Sequence, residues 1–306
     1  VSVANFIPQI WADQLLLNIH KAHVYGNPQV VNTDYEGDIK DFGDTVRISS
    51  IGTVTVSAYT RNTDMAAPQV LESAQTILSI DQAQYFNFAV DDLDKAQANV
   101  NIMEGAMAEA GYAVADVADQ YLAGIAVAGV ASANTIGSVA SPETNMATAS
   151  VPYGYLVQMA QLLDQSSVPQ EGRWAIIPPW FYAYIRKDPN FLHSTELADI
   201  LLRLGRLGPA IDTADLGGLE AEMAGKPMGQ IAGFTIYMSN NVPNSSGTSY
   251  QILGGHKMAW SYAQQVVKVE GYRPQYRFAD AVKGLHVYGS KVTRPQALVE
   301  LVANPT

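Results

Sequence analysis

Cysteine is absent from the chain, so no disulfide framework and no thiolate metal site holds it together. Charge is scarce too. Only 15 % of residues are Asp, Glu, Lys or Arg, against roughly 25 % in ordinary soluble domains, so much of the surface must be uncharged. Interfaces deplete Lys and Glu while keeping Tyr, and the excess of 16 Tyr over 8 Phe fits that composition. We read it as extensive burial between subunits. The net charge of −11 comes with no block of Lys or Arg, which disfavours a chain that grips nucleic acid by its phosphates. No run of apolar residues reaches the roughly 18 that a membrane helix needs. The stretch Val1 to Gln9 has neither the basic region nor the apolar core of a signal peptide. The expectation is a soluble, intracellular protein with no membrane partner.

Catalytic signatures are missing as well. There is no phosphate loop, dinucleotide fingerprint, HExxH or nucleophile elbow. His20, His23, His193, His256 and His286 are dispersed, without a Ser or Cys partner. His20 and His23 stand three apart on a predicted helix, but nothing acidic or thiolate is placed to complete a metal site. Asp91, Asp92 and Asp94 lack the glycine and distal Glu of a calcium loop and read as an acidic lead-in to a helix. Gly229 and Gly233 flank a predicted strand and read as turn glycines. No catalytic residue, cofactor or metal is expected.

What is present is hydrophobic content of 48 % over 306 residues, enough for one large or two ordinary domains. The least ambiguous element is a helix over Asn101 to Val127. Met103, Met107, Ala110, Val114, Val117, Tyr121 and Ile125 recur at steps of three or four, which predicts one face buried lengthwise over roughly 40 Å. Asn101 with Glu104 resembles a capping box, and Gly129 follows the end. Gly105, Gly111 and Gly124 each weaken the helix by about 1 kcal/mol relative to Ala, so a packed partner must compensate.

Ahead of it, Pro8 to Ala22 predicts a short amphipathic helix with Trp11, Leu15 and Ile19 on one face. The run DYEGDIKDFGD, 34 to 44, is turn chemistry. Thr45 to Thr60 then alternates Val46, Ile48, Val54 and Val56 with small polar residues, and Gln75 to Val90 is a second strand-like run. Together they predict a long hairpin, whose only charges between Thr45 and Ile80 are Arg47, Arg61, Asp64 and Glu72. An isolated two-stranded ribbon is marginal in water and its edges invite other chains.

After the long helix, Ala131 to Ala149 reads as a hinge or domain boundary. A helix over Pro152 to Gln165, a strand over Arg173 to Ile177, and a helix over Trp180 to Lys187 introduced by Pro179 indicate an α+β or α/β module. His193 to Leu219 is expected to be partly irregular. Strands are predicted at Phe234 to Met238, Tyr250 to Leu253, Gln265 to Glu270, Gly284 to Gly289 and Ala297 to Val302, the last three of these pairing beside the long helix.

Four phrases, DYEGDIKDFGDTVRI (34 to 48), RWAIIPPWFYAYIRKDPNF (173 to 191), GQIAGFTIYMSNNVP (229 to 243) and FADAVKGLHVYGSKVTRP (278 to 295), resemble stretches of tailed-bacteriophage major capsid proteins with the Hong Kong 97-type fold, in family order. The resemblance implies an α+β fold. Its parts would be an N-terminal arm (1–44), an extended β-hairpin called the E-loop (45–90), a peripheral P-domain on a spine helix (91–150), an axial A-domain (151–262) and P-domain strands closing the chain (263–306).

It further implies a non-enzymatic shell protein of the virion, assembled in the host bacterial cytoplasm, whose main partner is itself, in hexamers and pentamers. Scaffolding, portal and decoration proteins are further implied partners, and double-stranded DNA would be enclosed without sequence-specific binding. Arg47, Val54, Val56, Tyr59, Arg61 and Asp64 on the E-loop, and Trp11, Leu15 and Ile19 on the arm, are the expected inter-subunit contacts. The family's type member joins subunits through an E-loop lysine, yet no lysine lies between Lys40 and Lys95, so no such cross-link is expected. No long helical prosegment precedes the arm, so assembly guidance is expected from a separate scaffold or from residues already removed. An encapsulin-like compartment shell, enclosing an enzyme instead of a genome, shares the implied fold.

Overall fold

The structure, a computed structural model, describes residues 24–34, 45–51, 56, 58, 61, 73–91, 102–148, 151–188, 230–245 and 247–305. Two larger sheets of different character and a two-stranded ribbon divide these residues. The first is antiparallel and three-stranded, in the order β10 (Trp260–Tyr272), β11 (Ala279–Val292), β3 (Gln82–Asp91). Along β3, exposure alternates residue by residue, so Gln84, Phe86 and Phe88 turn one way while Ala83, Tyr85 and Asn87 turn outward. The long helix α1 (Ile102–Ala128) lies across the inward face, with Met107, Val114 and Ala115 packed among Val269, Val282, Phe86 and Phe88. Gly284 is opposite Phe86, and any Cβ there would collide with the Phe86 ring.

The buried side of α1 differs from the predicted stripe. Met107 and Val114 are buried as expected, but the second half buries Ala118, Leu122, Ala123 and Ala126, while Val117 is 44 % exposed. Small residues decide this: alanines let the helix backbone approach the large core closely, and the bulkier Val117, Tyr121 and Ile125 are rotated toward the rim. Asp119 is buried on that same side. Its Oδ1 accepts hydrogen bonds from the backbone N–H groups of Val24 (3.0 Å) and Tyr25 (2.8 Å), and its Oδ2 from Asn241 Nδ2 (3.1 Å).

Strands β1 (Thr45–Ile51) and β2 (Ser73–Ser79) form the expected antiparallel ribbon, but the strand predicted over Gln75 to Val90 is two strands. Leu78 and Ile80 bury against Ala263 and Val287 on one face of the three-stranded sheet, whereas Phe86 and Phe88 bury on the other. All four positions are even-numbered and would share a face in one continuous strand, so the chain must turn at Ile80–Asp81. On the other side of the ribbon, Val56 and Ala58 lie outside any strand, which ends β1 earlier than the predicted Thr60.

The second sheet has the order β4 (Thr135–Ile136), β12 (Leu298–Ala303), β9 (Ser249–His256), β5 (Arg173–Ile177), β7 (Phe234–Met238), β6 (Gln230–Ile231), with β8 (Asn244–Ser245) beside β9. It is mixed, β12 running parallel to β4 and β5 parallel to β7. Helices α2 (Val151–Gln165) and α3 (Pro179–Arg186) supply Leu156, Met159, Leu163, Phe181 and Ile185 to its core, beside Trp174, Ile176, Leu253 and Leu301. Pro178 caps α3 in extended conformation and Pro179 occupies its first turn, as the sequence predicts.

Two expectations are corrected here. The last strand does not pair beside the long helix with β10 and β11; it joins β9 and β4. Every residue of the run LVELVA is buried, which requires a sheet covered on both faces. The stretch 131–148 is not a hinge: Asn134 Nδ2 donates to the carbonyls of Gln296 (2.8 Å) and Leu298 (2.9 Å), Glu143 N donates to Val302 O (2.9 Å), and Met146 is buried. Its polar residues bond backbone, which is why their composition reads as loop. Of the expected arm, the described residues 24–34 are fastened to the chain's own body. Tyr25, Val30 and Val31 are fully buried, Asn32 bridges Ser261, and Trp260 Nε1 donates to Val30 O (3.2 Å). Predicted features at 1–23, including His20 and His23, at 92–101 and at 189–229 lie outside the described residues.

Candidate assembly surface

The ribbon is the first candidate surface. Among the described residues, strands β1 and β2 pair only with each other, so both outer edges carry backbone groups without a strand partner there. Its inner side is anchored, since Val46 and Ile48 pack beside Leu78 and Ile80. Its outer side presents Arg47 directly opposite Ile77, which is 51 % exposed. Of the predicted contact residues, Arg47, Val56 and Arg61 are exposed, and among the described residues no hydrogen bond or ion pair joins them. Val54, Tyr59 and Asp64, with Trp11, Leu15 and Ile19, lie outside the described residues.

The second surface was not singled out from the sequence. The outward face of the three-stranded sheet is covered by the ribbon base at one end and open at the other. There Tyr85, 78 % exposed, stands opposite Leu285. Glu270 is held by Lys268 and by Lys283 Nζ (3.0 Å), and those two lysines keep its carboxyl below the usual carboxylate range. Lys283 also lies over the Tyr272 ring (5.4 Å), and the Tyr272 hydroxyl donates to Asn87 Oδ1 (3.1 Å). The β10–β11 turn then exposes Tyr276 (92 %) and Phe278 (84 %). Two aromatic residues in a Pro-containing turn, RPQYRF, are the signal that could have found this surface.

The Arg173 and His256 side chains are occupied structurally. A cavity of about 370 Å³ is lined in part by Gln29, Arg173, Tyr237 and His256. The Arg173 guanidinium donates to Asp164 Oδ1 (2.7 Å) and to the carbonyls of Val168 (2.6 Å) and Pro169 (2.9 Å), while His256 Nδ1 accepts from Met258 N (3.2 Å). Burial pushes His286 down to about 4, so its ring is neutral, stacked on Tyr288 at 5.1 Å. Among the described residues no cluster of His, Asp and Glu could hold a metal ion, and no helix is long and apolar enough to cross a membrane.

Comparison with known proteins gives this surface its context. The sequence profile described as "Phage capsid protein" matches residues 73–301, most of the chain. The chain belongs to the phage capsid protein family. As a phage capsid protein it is a structural, self-associating component of the virion. No curated protein matches its sequence significantly. Among solved structures it is similar to one from Mycobacterium phage Che8, with 24 % identity, 91 % of this chain and 90 % of that one covered, and a TM-score of 0.69. It is also similar to the capsid of the cyanophage P-SCSP1u, with 18 % identity, 94 % and 89 % covered, and a TM-score of 0.66. More distant is the SrpI encapsulin from Synechococcus elongatus PCC 7942, with 13 % identity, 88 % and 85 % covered, and a TM-score of 0.53. At these identities the structures speak to the shared α+β fold alone.

Proposed function

We propose that this capsid protein builds an icosahedral head of Hong Kong 97 type, in hexamers and pentamers, around double-stranded DNA. The observation that carries the reading is a ribbon whose two edges are unpaired among the described residues, standing on a sheet whose outward face those residues only half cover. In this assignment the ribbon β1–β2 is the E-loop and ends at Ser79, because β3 belongs to the three-stranded sheet. That sheet with α1 is the P-domain, and the seven-stranded sheet with α2 and α3 is the core of the A-domain. The ribbon reaches over an adjacent subunit, the N-terminal arm passes beneath another, and many modest contacts sum to a shell. The role is enclosure without catalysis. Scaffolding, portal and decoration proteins are its expected partners, assembly takes place in the host bacterial cytoplasm, and the acidic balance keeps DNA from adhering to the wall.

The test is electron microscopy of the expressed chain beside a variant in which residues 52–72 are replaced by an Asn-Gly turn. Wild type should form closed shells. The variant should remain folded, because Leu78 and Ile80 are retained, but should not assemble. Normal shells from the variant would remove the ribbon from assembly. The similarity to an encapsulin supports a second reading, a compartment shell enclosing an enzyme. Particles that copurify with one protein cargo and no genome would favour it.

A further inference from the structure

Helix α1 is fastened on two sides, and a titratable group is buried in each seam. On the side of the three-stranded sheet, Val282 packs with Val114 and Ala115, and the Tyr288 ring meets the edge of Tyr121 at 5.4 Å. His286 stands between Val282 and Tyr288 on the same face of β11, under the stretch of α1 between Ala115 and Tyr121. It is 1 % exposed, and neither ring nitrogen has a hydrogen-bond partner among the described residues. The sheet register breaks beside it: Val266 is opposite His286, the next pair is Lys268 with Leu285, and Val267 is left as a bulge.

No charge compensates this ring. Lys268, Glu270 and Lys283 lie on the other face of the sheet, Asp116 and Asp119 of α1 accept from Asn241, and Asp81 accepts from the Tyr121 hydroxyl (3.3 Å). Its register partner on β3 is the neutral Gln84, and burial keeps the Tyr288 hydroxyl that accompanies it protonated. Burial alone lowers the His286 pKa, to about 4. An imidazolium formed here is a buried cation without an acceptor, and parting α1 from the sheet is what hydrates it.

On its opposite side α1 is tied to the larger body by Asp119, through the backbone N–H groups of Val24 and Tyr25 and the Asn241 amide. Burial, aided by the charge of Asp116, raises this carboxyl pKa against the lowering effect of those three donors. The two seams therefore respond to acid with opposite sign. The lowered histidine contributes stability that is complete above about 6.5 and lost as pH falls toward 4. The raised carboxyl contributes stability that is complete below its ordinary value and lost as pH rises. Falling pH loosens the first seam and favours the second.

We propose that α1 is an acid-responsive joint: protonation of His286 parts it from the three-stranded sheet while Asp119 keeps it on the larger body. The ribbon stands on the sheet that is released, so acid moves the limb assigned above to assembly while the body stays folded. That consequence rests on the assembly reading, and the opening itself does not.

Hydrogen exchange of the full chain, read by mass spectrometry at pH 7 and pH 4.5 and divided by intrinsic rates, follows both seams at once. With the ring titrating at about 4 when closed and about 6.5 when open, the opening constant over 107–118 and 282–288 should rise about fiftyfold between these pH values. Segments 24–34 and 119–126 should lose no protection. His286→Leu should abolish the rise, and so should His286→Gln, which keeps a polar but uncharged side chain should Leu disturb the packing. Equal loss of protection in all four segments would mean acid unfolding of the whole chain and would overturn the proposal. So would a wild type without the rise, or a rise that both variants keep. A selective rise in a chain that forms no shell would count against the assembly reading and for the joint, and shells whose subunits show no rise would do the reverse.

Discussion

The two sheets treat their side chains in opposite ways. In the seven-stranded sheet, β5 and β12 bury every residue, because helices and connecting segments cover both faces. In the three-stranded sheet, β3 buries alternate residues only, and its outward face leaves Tyr85 and Leu285 open beyond the ribbon base. One sheet is completed inside the chain. The other, among the described residues, is covered on its outward face only at the ribbon base, and the proposed assembly would complete it.

Substitutions should break this contrast in order of size. Trp174→Ala, in the core of the complete sheet, should lower stability by about 3–5 kcal/mol, seen as a reduced midpoint in denaturant unfolding. Next is acid. His286 is buried and neutral with its pKa lowered to about 4, against about 6.5 unfolded, so its contribution is complete above pH 6.5 and is lost as pH falls toward 4. The loss approaches 3 kcal/mol by linkage. His286→Leu should flatten unfolding free energy measured between pH 7 and 4.

Asp119→Ala removes the acceptor for two backbone N–H groups and the Asn241 amide. It should cost about 2–3 kcal/mol and raise amide exchange at Val24 and Tyr25. Gly284→Ala forces a methyl into the Phe86 ring and should cost about 1–3 kcal/mol by overpacking, which Phe86→Leu in the same chain should partly relieve. The smallest effect on stability falls on the incomplete sheet. Tyr85→Ser should change it by less than about 0.5 kcal/mol while lowering the assembled fraction measured by sedimentation. A large loss of stability there would mean that the face is already covered within the chain.

Much of this architecture was legible in the chain. The strands Arg173–Ile177 and Phe234–Met238 fall where predicted, and the long helix ends within a residue of the expected limit, because Gly, Pro and β-branched runs mark local boundaries. The ribbon was legible at its base for the same reason. Less was legible at the candidate surface, where the exposed Tyr85, Tyr276 and Phe278 were passed over. An exposed aromatic residue in a strand or turn has the same local pattern as a buried one.

Sequence alone determined the kinds of elements and most of their limits, along with the lack of cysteine, the thin charge and the resemblance to capsid proteins, since these depend on residue type and spacing. Only the tertiary structure decided partners. It sent Leu298–Ala303 into the larger sheet and turned the chain at Ile80–Asp81. It also drew Asp119 under Val24 and Tyr25 and left Tyr276 and Phe278 exposed in the β10–β11 turn. Those outcomes depend on which surfaces remain to be buried once distant segments meet, and no local pattern records that.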